Sequence, residues 1–116
     1  MLAIAQAKLD GSAARTQDVR EVEPLPPQYA NDVDLQLMMR VKAGDDEAFN
    51  ALMKRQEKTV VNLVYRFTAN KEVTHDLAQE VFMRLYRAAP RFEPRAKFFT
   101  FLYRITLNLC RNYRAK

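Results

Sequence analysis

The chain has 116 residues, 48% hydrophobic and 28% charged, with a formal net charge of +5 and a pI near 9.6. That length holds one small domain, and a single cysteine, Cys110, excludes an internal disulfide framework and a cysteine-only zinc site while fitting a reducing cytoplasm. No apolar run approaches the ~20 residues of a membrane-spanning helix, and the opening MLAIAQAKLDGS lacks the basic start and apolar length of a secretory signal.

Residues 1–31 read as a flexible, disordered tail. They carry Gly11-Ser12, a mixed-charge stretch and Pro24-Leu25-Pro26-Pro27, which favours extended polyproline geometry. A short helix over Leu2–Leu9 would be marginal in water on its own. The domain proper is expected over 32–116. Asp32 or Asp34 caps a first helix bearing Leu35, Met38, Met39 and Val41, with Gly44 as its stop. Asp45 caps a second, where Phe49, Leu52, Met53, Val60, Leu63, Val64 and Phe67 recur at three- and four-residue steps and Asn70 serves as terminator. Thr74 caps a third, buried through Leu77, Val81 and Leu85 with Ala78 and Phe82 alongside, and ended by Pro90. A loop to about Arg95 leads to a fourth helix with an apolar stripe at Phe98, Phe101, Leu102, Ile105 and Leu109. Alternating strand patterns and hairpin turn signals are lacking, so the fold class is all-α, a small bundle of about four helices.

Charge is segregated along this chain. From Arg84 to the end there are nine Lys and Arg against one acid, Glu93, a net +8 that leaves −3 for the first 83 residues. The same segment holds Phe92, Phe98, Phe99, Phe101, Tyr103 and Tyr113. Cations beside flat rings suit a polyanion with unstacked bases, which points to single-stranded nucleic acid. On the fourth helix Lys97, Thr100, Arg104, Asn108 and Arg111 form a polar stripe opposite the apolar one. Its cations can track phosphates, and the Asn108 amide offers donor and acceptor to a base edge; a basic stripe in isolation also describes a solvated face.

On the third helix Asp76, Gln79, Glu80, Met83 and Arg87 share a face, open equally to a protein partner and to solvent. His75, the only histidine, sits at a helix start and is assigned local hydrogen bonding. Cys110 lies by the apolar stripe as a small hydrophobe, with Arg111 beside it as a reason for a lowered thiol pKa. The chain has no phosphate-cradling glycine loop, nucleophile elbow or carboxylate–histidine constellation, so neither an enzyme nor a cofactor or metal is expected.

The blocks AGDDEAFNALM, HDLAQEVFMRLYRA, RFEP and FFTFLYRITLNLCRNY, in this order, resemble region 2 of a bacterial sigma factor of the extracytoplasmic-function (ECF) group, from about Asp32 to Arg114. The resemblance implies a helical bundle in the cytoplasm with two tasks. One is docking on the clamp helices of the RNA polymerase β′ subunit, which the matching positions assign to Asp76, Gln79, Glu80, Phe82 and Tyr86, joined by Met83 on the shared face. The other is recognising and opening the promoter −10 element by capturing flipped bases of the non-template strand. For that task the matching positions are Phe92 in the loop and Arg104 and Asn108 on the helix, with Arg95, Lys97, Thr100 and Arg111 as neighbours. Phe101 and Tyr86 stand where the group often carries tryptophan, and the loop RFEPRAK is unusually basic and proline-containing. Family members continue into a region 4 domain, so the resemblance implies an excised domain. An anti-sigma factor is a further implied partner. The alternative reading is a sigma-like interaction module bound mainly by such a regulator. A double-strand helix-turn-helix reader is disfavoured because no short two-helix unit with a tight turn lies in the basic half.

Overall fold

The structure is a computed structural model that describes residues 19–115. Among the described residues there are four α-helices and no strand: α1 (Val33–Lys42), α2 (Asp46–Thr68), α3 (Lys71–Ala88) and α4 (Phe98–Ala115). A 3-10 turn, Pro27–Tyr29, precedes α1, and another, Ala89–Arg91, follows α3. The 23-residue α2, about 35 Å long, is the central element and packs against each of the other three helices.

Each helix starts where a short acceptor side chain meets its unpaired N–H groups. Asp32 takes the α1 position, its Oδ1 accepting from Leu35 N at 3.1 Å. Asp45 Oδ1 accepts from Glu47 N and Ala48 N at the start of α2, while its Oδ2 holds Arg40 at 2.8 Å. Gly44, at φ 102°, turns the chain between α1 and α2 in a conformation that a Cβ would penalise. The α2–α3 junction departs from expectation. Asn70 does not end α2; its Oδ1 accepts from Glu72 N at 2.9 Å and caps α3, which therefore begins three residues before Thr74. Thr74 is instead buried within the helix and donates to Asn70 O at 2.8 Å. Ala69 ends α2 in the left-handed region, at φ 53°.

The core follows the helical periodicity. Leu35, Met38, Leu52, Val60, Val64, Ala78, Val81, Phe82, Leu85 and Leu102 are completely buried, with Phe49 and Phe98 nearly so. Each such large side chain contributes roughly 1.5–3 kcal/mol relative to exposure. Leu77, Phe101 and Ile105 pack against this core while half-buried. Thr106 joins the core on α4, its hydroxyl satisfied by donating to Leu102 O at 2.8 Å.

The expected domain boundary at Asp32 does not mark where contacts begin. Arg20 N donates to Ala43 O at 2.6 Å, and the Arg20 guanidinium donates to Lys42 O at 3.1 Å. Leu25 and Tyr29 pack on the core. One backbone and one side-chain hydrogen bond from Arg20 tie this extended strap to the end of α1 despite its prolines. The rest of the expected tail, with the helix over Leu2–Leu9, lies outside the described residues.

Candidate nucleic-acid interface

The α4 stripe exists as a surface. Lys97, Arg104, Asn108 and Arg111 are exposed and Thr100 is half-buried. Among the described residues no hydrogen bond or ion pair engages the side chains of Lys97, Arg104, Asn108 or Arg111. With a 1.5 Å rise, Arg104, Asn108 and Arg111 span about 10 Å along one side of the helix, a length suited to successive phosphates or bases.

The loop beside it is anchored at its centre. Phe92 is only 5% exposed, and its ring meets Phe101 edge-on at 4.8 Å. It is a core residue that anchors the loop, so its ring is not an open stacking platform. The loop is proline-rich and charged, and burying its one large apolar side chain is what ties it to the bundle. A cavity of about 380 Å³ opens at this point, lined by Ala88, Arg91, Phe92, Glu93, Arg95 and Phe101. Arg95 at its rim pairs with Glu93 at 2.6 Å. The hydrogen bond from Arg95 and then its charge hold the Glu93 carboxyl below the usual range, so the pair stays ionised at neutral pH.

Periodicity alone did not single out two exposed aromatics on α4. Phe99 is 51% exposed and Tyr103 37%. Their centroids are 6.1 Å apart, and Tyr103 also meets Phe67 of α2 edge-on at 5.4 Å. The signal was available, since Phe99 and Tyr103 lie four residues apart, each one step from Thr100 or Arg104 and off the apolar stripe. They put exposed rings next in sequence to Thr100 and Arg104.

On α3 the expected docking face divides. Asp76 is exposed, Gln79 and Glu80 are half-buried, and Glu80 holds Arg84 and Arg87 at 3.5 and 3.3 Å. Phe82 is completely buried and Met83 is 5% exposed. Neither offers a partner its side chain, because both belong to the buried core of the bundle. Tyr86 is half-buried, its hydroxyl donating to Asp46 Oδ1 at 2.9 Å and its ring 4.9 Å from Phe49. Cys110 is completely buried, and burial pushes its thiol pKa up, opposite to the effect expected from Arg111.

Among the described residues no group of three or more His, Cys, Asp or Glu is placed to hold a metal, and no helix is long and apolar enough to cross a membrane.

The chain is similar to known proteins. The chain is 38% identical over 80 residues to the RNA polymerase sigma-H factor of Pseudomonas aeruginosa, which covers 69% of this chain and 42% of that factor. It is 41% identical over 80 residues to the ECF RNA polymerase sigma-E factor of Escherichia coli, covering 69% and 41%. The chain thus spans about two fifths of the length of these relatives. An NMR structure of an engineered region 2 of sigmaE in complex with GTAAAA superposes with a TM-score of 0.65 at 40% identity, covering 71% of this chain and 85% of that one. The family model for Sigma-70 region 2 matches residues 52–116, which takes in α3, the loop, α4 and most of α2. Because that match runs through more than half of the chain, the protein belongs to the Sigma-70 region 2 family.

Proposed function

We propose that this domain acts in transcription initiation, not as an enzyme. It docks on the clamp helices of the RNA polymerase β′ subunit and captures non-template-strand bases of the promoter −10 element. The observation that carries the reading is the α4 face. Arg104 and Arg111, which like Lys97 have no ion pair among the described residues, flank Asn108 on the helix that also lends Phe101 to the aromatic-lined cavity, in a fold whose 40%-identical relative is complexed with GTAAAA. In this reading the cations hold phosphates, Asn108 meets a base edge, and the cavity formed by Arg91, Phe92, Arg95 and Phe101 receives a flipped base. Phe92 acts as a wall of that cavity rather than as an open ring, and Phe99 and Tyr103 supply the stacking surfaces. Thr100 supports the same face.

The energetics favour such a division. Extruding a base costs a few kcal/mol, and stacking on an aromatic returns roughly 1–3 kcal/mol per base. Captured bases therefore hold a melted duplex open through binding energy alone. Docking on polymerase uses Asp76, Gln79, Glu80 and the exposed edge of Tyr86, with Phe82 and Met83 shaping α3 from beneath. An anti-sigma regulator covering the same faces is the second partner class. The functional unit includes the strap residues that bond to the end of α1, beginning with the contacts of Arg20.

The test is fluorescence anisotropy with labelled GTAAAA and its single-base variants. Asn108→Ala is expected to compress the spread of affinities across the variants by about five- to a hundredfold at the base it reads, as loss of a bidentate base contact does. An unchanged spread would remove Asn108 from base recognition.

A further inference from the structure

The loop between α3 and α4 contains two prolines, Pro90 near its start and Pro94 in its middle, and an exposed ion pair, and of its large side chains only Phe92 is buried. Three side chains from the N-terminal part of the chain hold its backbone. Lys42 Nζ, at the end of α1, donates to Phe92 O at 2.8 Å. The Tyr29 hydroxyl, in the turn before α1, donates to Arg95 O at 3.2 Å. Asp32 Oδ2 accepts from Phe98 N at 2.9 Å, where the loop becomes α4. These contacts span 50 to 66 residues of sequence and land at the start, the middle and the end of the segment. Glu23 of the strap lies 3.4 Å from the Lys42 ammonium and so bears on the first of them.

From this we infer that Tyr29 and Lys42 are positioning residues for base selection, holding the α3–α4 loop in its receptive shape before any strand arrives. The inference rests on the single-strand reading above and deepens it. A pocket made by a loop must be preset to within a fraction of an ångström to discriminate between bases, and a loop that orders only on binding gives up affinity and selectivity to that ordering. The matched base and its competitors suffer that loss unequally, because only the matched base rewards the fully formed pocket. Neither residue is among those assigned here to touch the strand. The 3-10 turn and the end of α1 thus act on recognition from behind the loop, through its carbonyl oxygens.

The test uses the whole chain with Tyr29→Phe and Lys42→Met, read in two ways. Amide hydrogen exchange in the free protein follows Phe92, Arg95 and Phe98, whose N–H groups bond to Ala89 O, Glu93 O and Asp32. These amides are expected to exchange several-fold faster in each variant while those of central α2 keep their protection. Anisotropy then compares GTAAAA with its single-base variants. The ratio of affinities is expected to shrink about three- to tenfold per variant, the effect of one hydrogen bond. Lys42→Met also removes a charge and weakens every strand alike. The ratio is therefore the measure, and Tyr29→Phe, which changes no charge, is its control. Loop amides that do not respond, or a loss of protection shared by the whole molecule, overturn the pinning even if the wild type discriminates between bases. A wild type that binds every strand alike overturns the single-strand reading and the role in base selection with it, whatever the amides do.

Discussion

Asp32 does two jobs with one carboxylate. Its Oδ1 caps α1 at Leu35 N and its Oδ2 takes the first N–H of α4 at Phe98, 66 residues away. Two helix starts, each with unpaired donors, thereby share one charge favourable to both dipoles. Removing it strips both caps at once. Asp32→Ala is expected to destabilise the fold by about 2–3 kcal/mol, roughly twice the ordinary cost of losing a cap. Asp32→Asn, which keeps one acceptor oxygen, is expected to fall between. Urea unfolding followed by circular dichroism checks both, and a loss below about 1 kcal/mol for alanine would mean that only one cap matters. The local half of this role was legible, since an Asp before an apolar-periodic run reads as a cap. The choice between Asp32 and Asp34 and the tie to Phe98 were not, because long-range pairing leaves no periodic trace. Asp34 is instead taken by Arg55 and Gln56 of α2, at 2.7 and 2.8 Å. The burial of Phe92 was not legible for a similar reason. A phenylalanine in a charged, proline-bounded loop carries no pattern that separates an anchor from an exposed platform, and only the Phe101 ring across the fold decides it.

At the scale of elements, the periodic faces of α1, α2 and α4 were readable, while the α2–α3 junction was not. Two residues, Ala69 and Asn70, must both end one helix and begin the next. An asparagine serves either purpose, as a left-handed terminator or as a cap. Here it goes to the cap, which leaves the left-handed position to Ala69 at φ 53°. An alanine there carries a Cβ clash of about 1 kcal/mol that glycine avoids. Ala69→Gly is therefore expected to raise stability by up to about 1 kcal/mol, offset in part by the greater freedom of glycine in the unfolded chain. A thermal melt reads this as a rise in Tm. A fall would mean that the junction has relaxed out of the left-handed region. Phe99 and Tyr103 make the complementary point. Helical spacing places them off the buried stripe, but spacing does not say that the neighbouring surface leaves them open. That depends on Phe67 of α2, which supports Tyr103 without covering it.

For the whole molecule, the segregation of charge was the earliest and most durable signal. A chain of modest net charge concentrates +8 in its last 33 residues, and the described structure leaves three of those cations unpaired around one amide on α4. The residues proposed to dock on polymerase and those proposed to bind the strand occupy separate helices, α3 and α4, so the two tasks are expected to separate under mutation. For a single strand each phosphate contact contributes a slope of about −0.7 to the plot of log affinity against log salt. Contacts from Lys97, Arg104 and Arg111 together predict a slope near −2. Arg104→Gln is expected to make it shallower by about 0.7 and to weaken GTAAAA and its single-base variants to a similar degree, while capture by a β′ clamp-helix fragment is unchanged. Gln79→Ala is expected to do the reverse, lowering capture by that fragment with the slope and the strand affinities intact. Titrations at several salt concentrations, paired with pull-downs of the same variants, check both. A single substitution that moved both readouts together would show the two surfaces to be one. The division of labour between α3 and α4 would then fail even if each partner still bound.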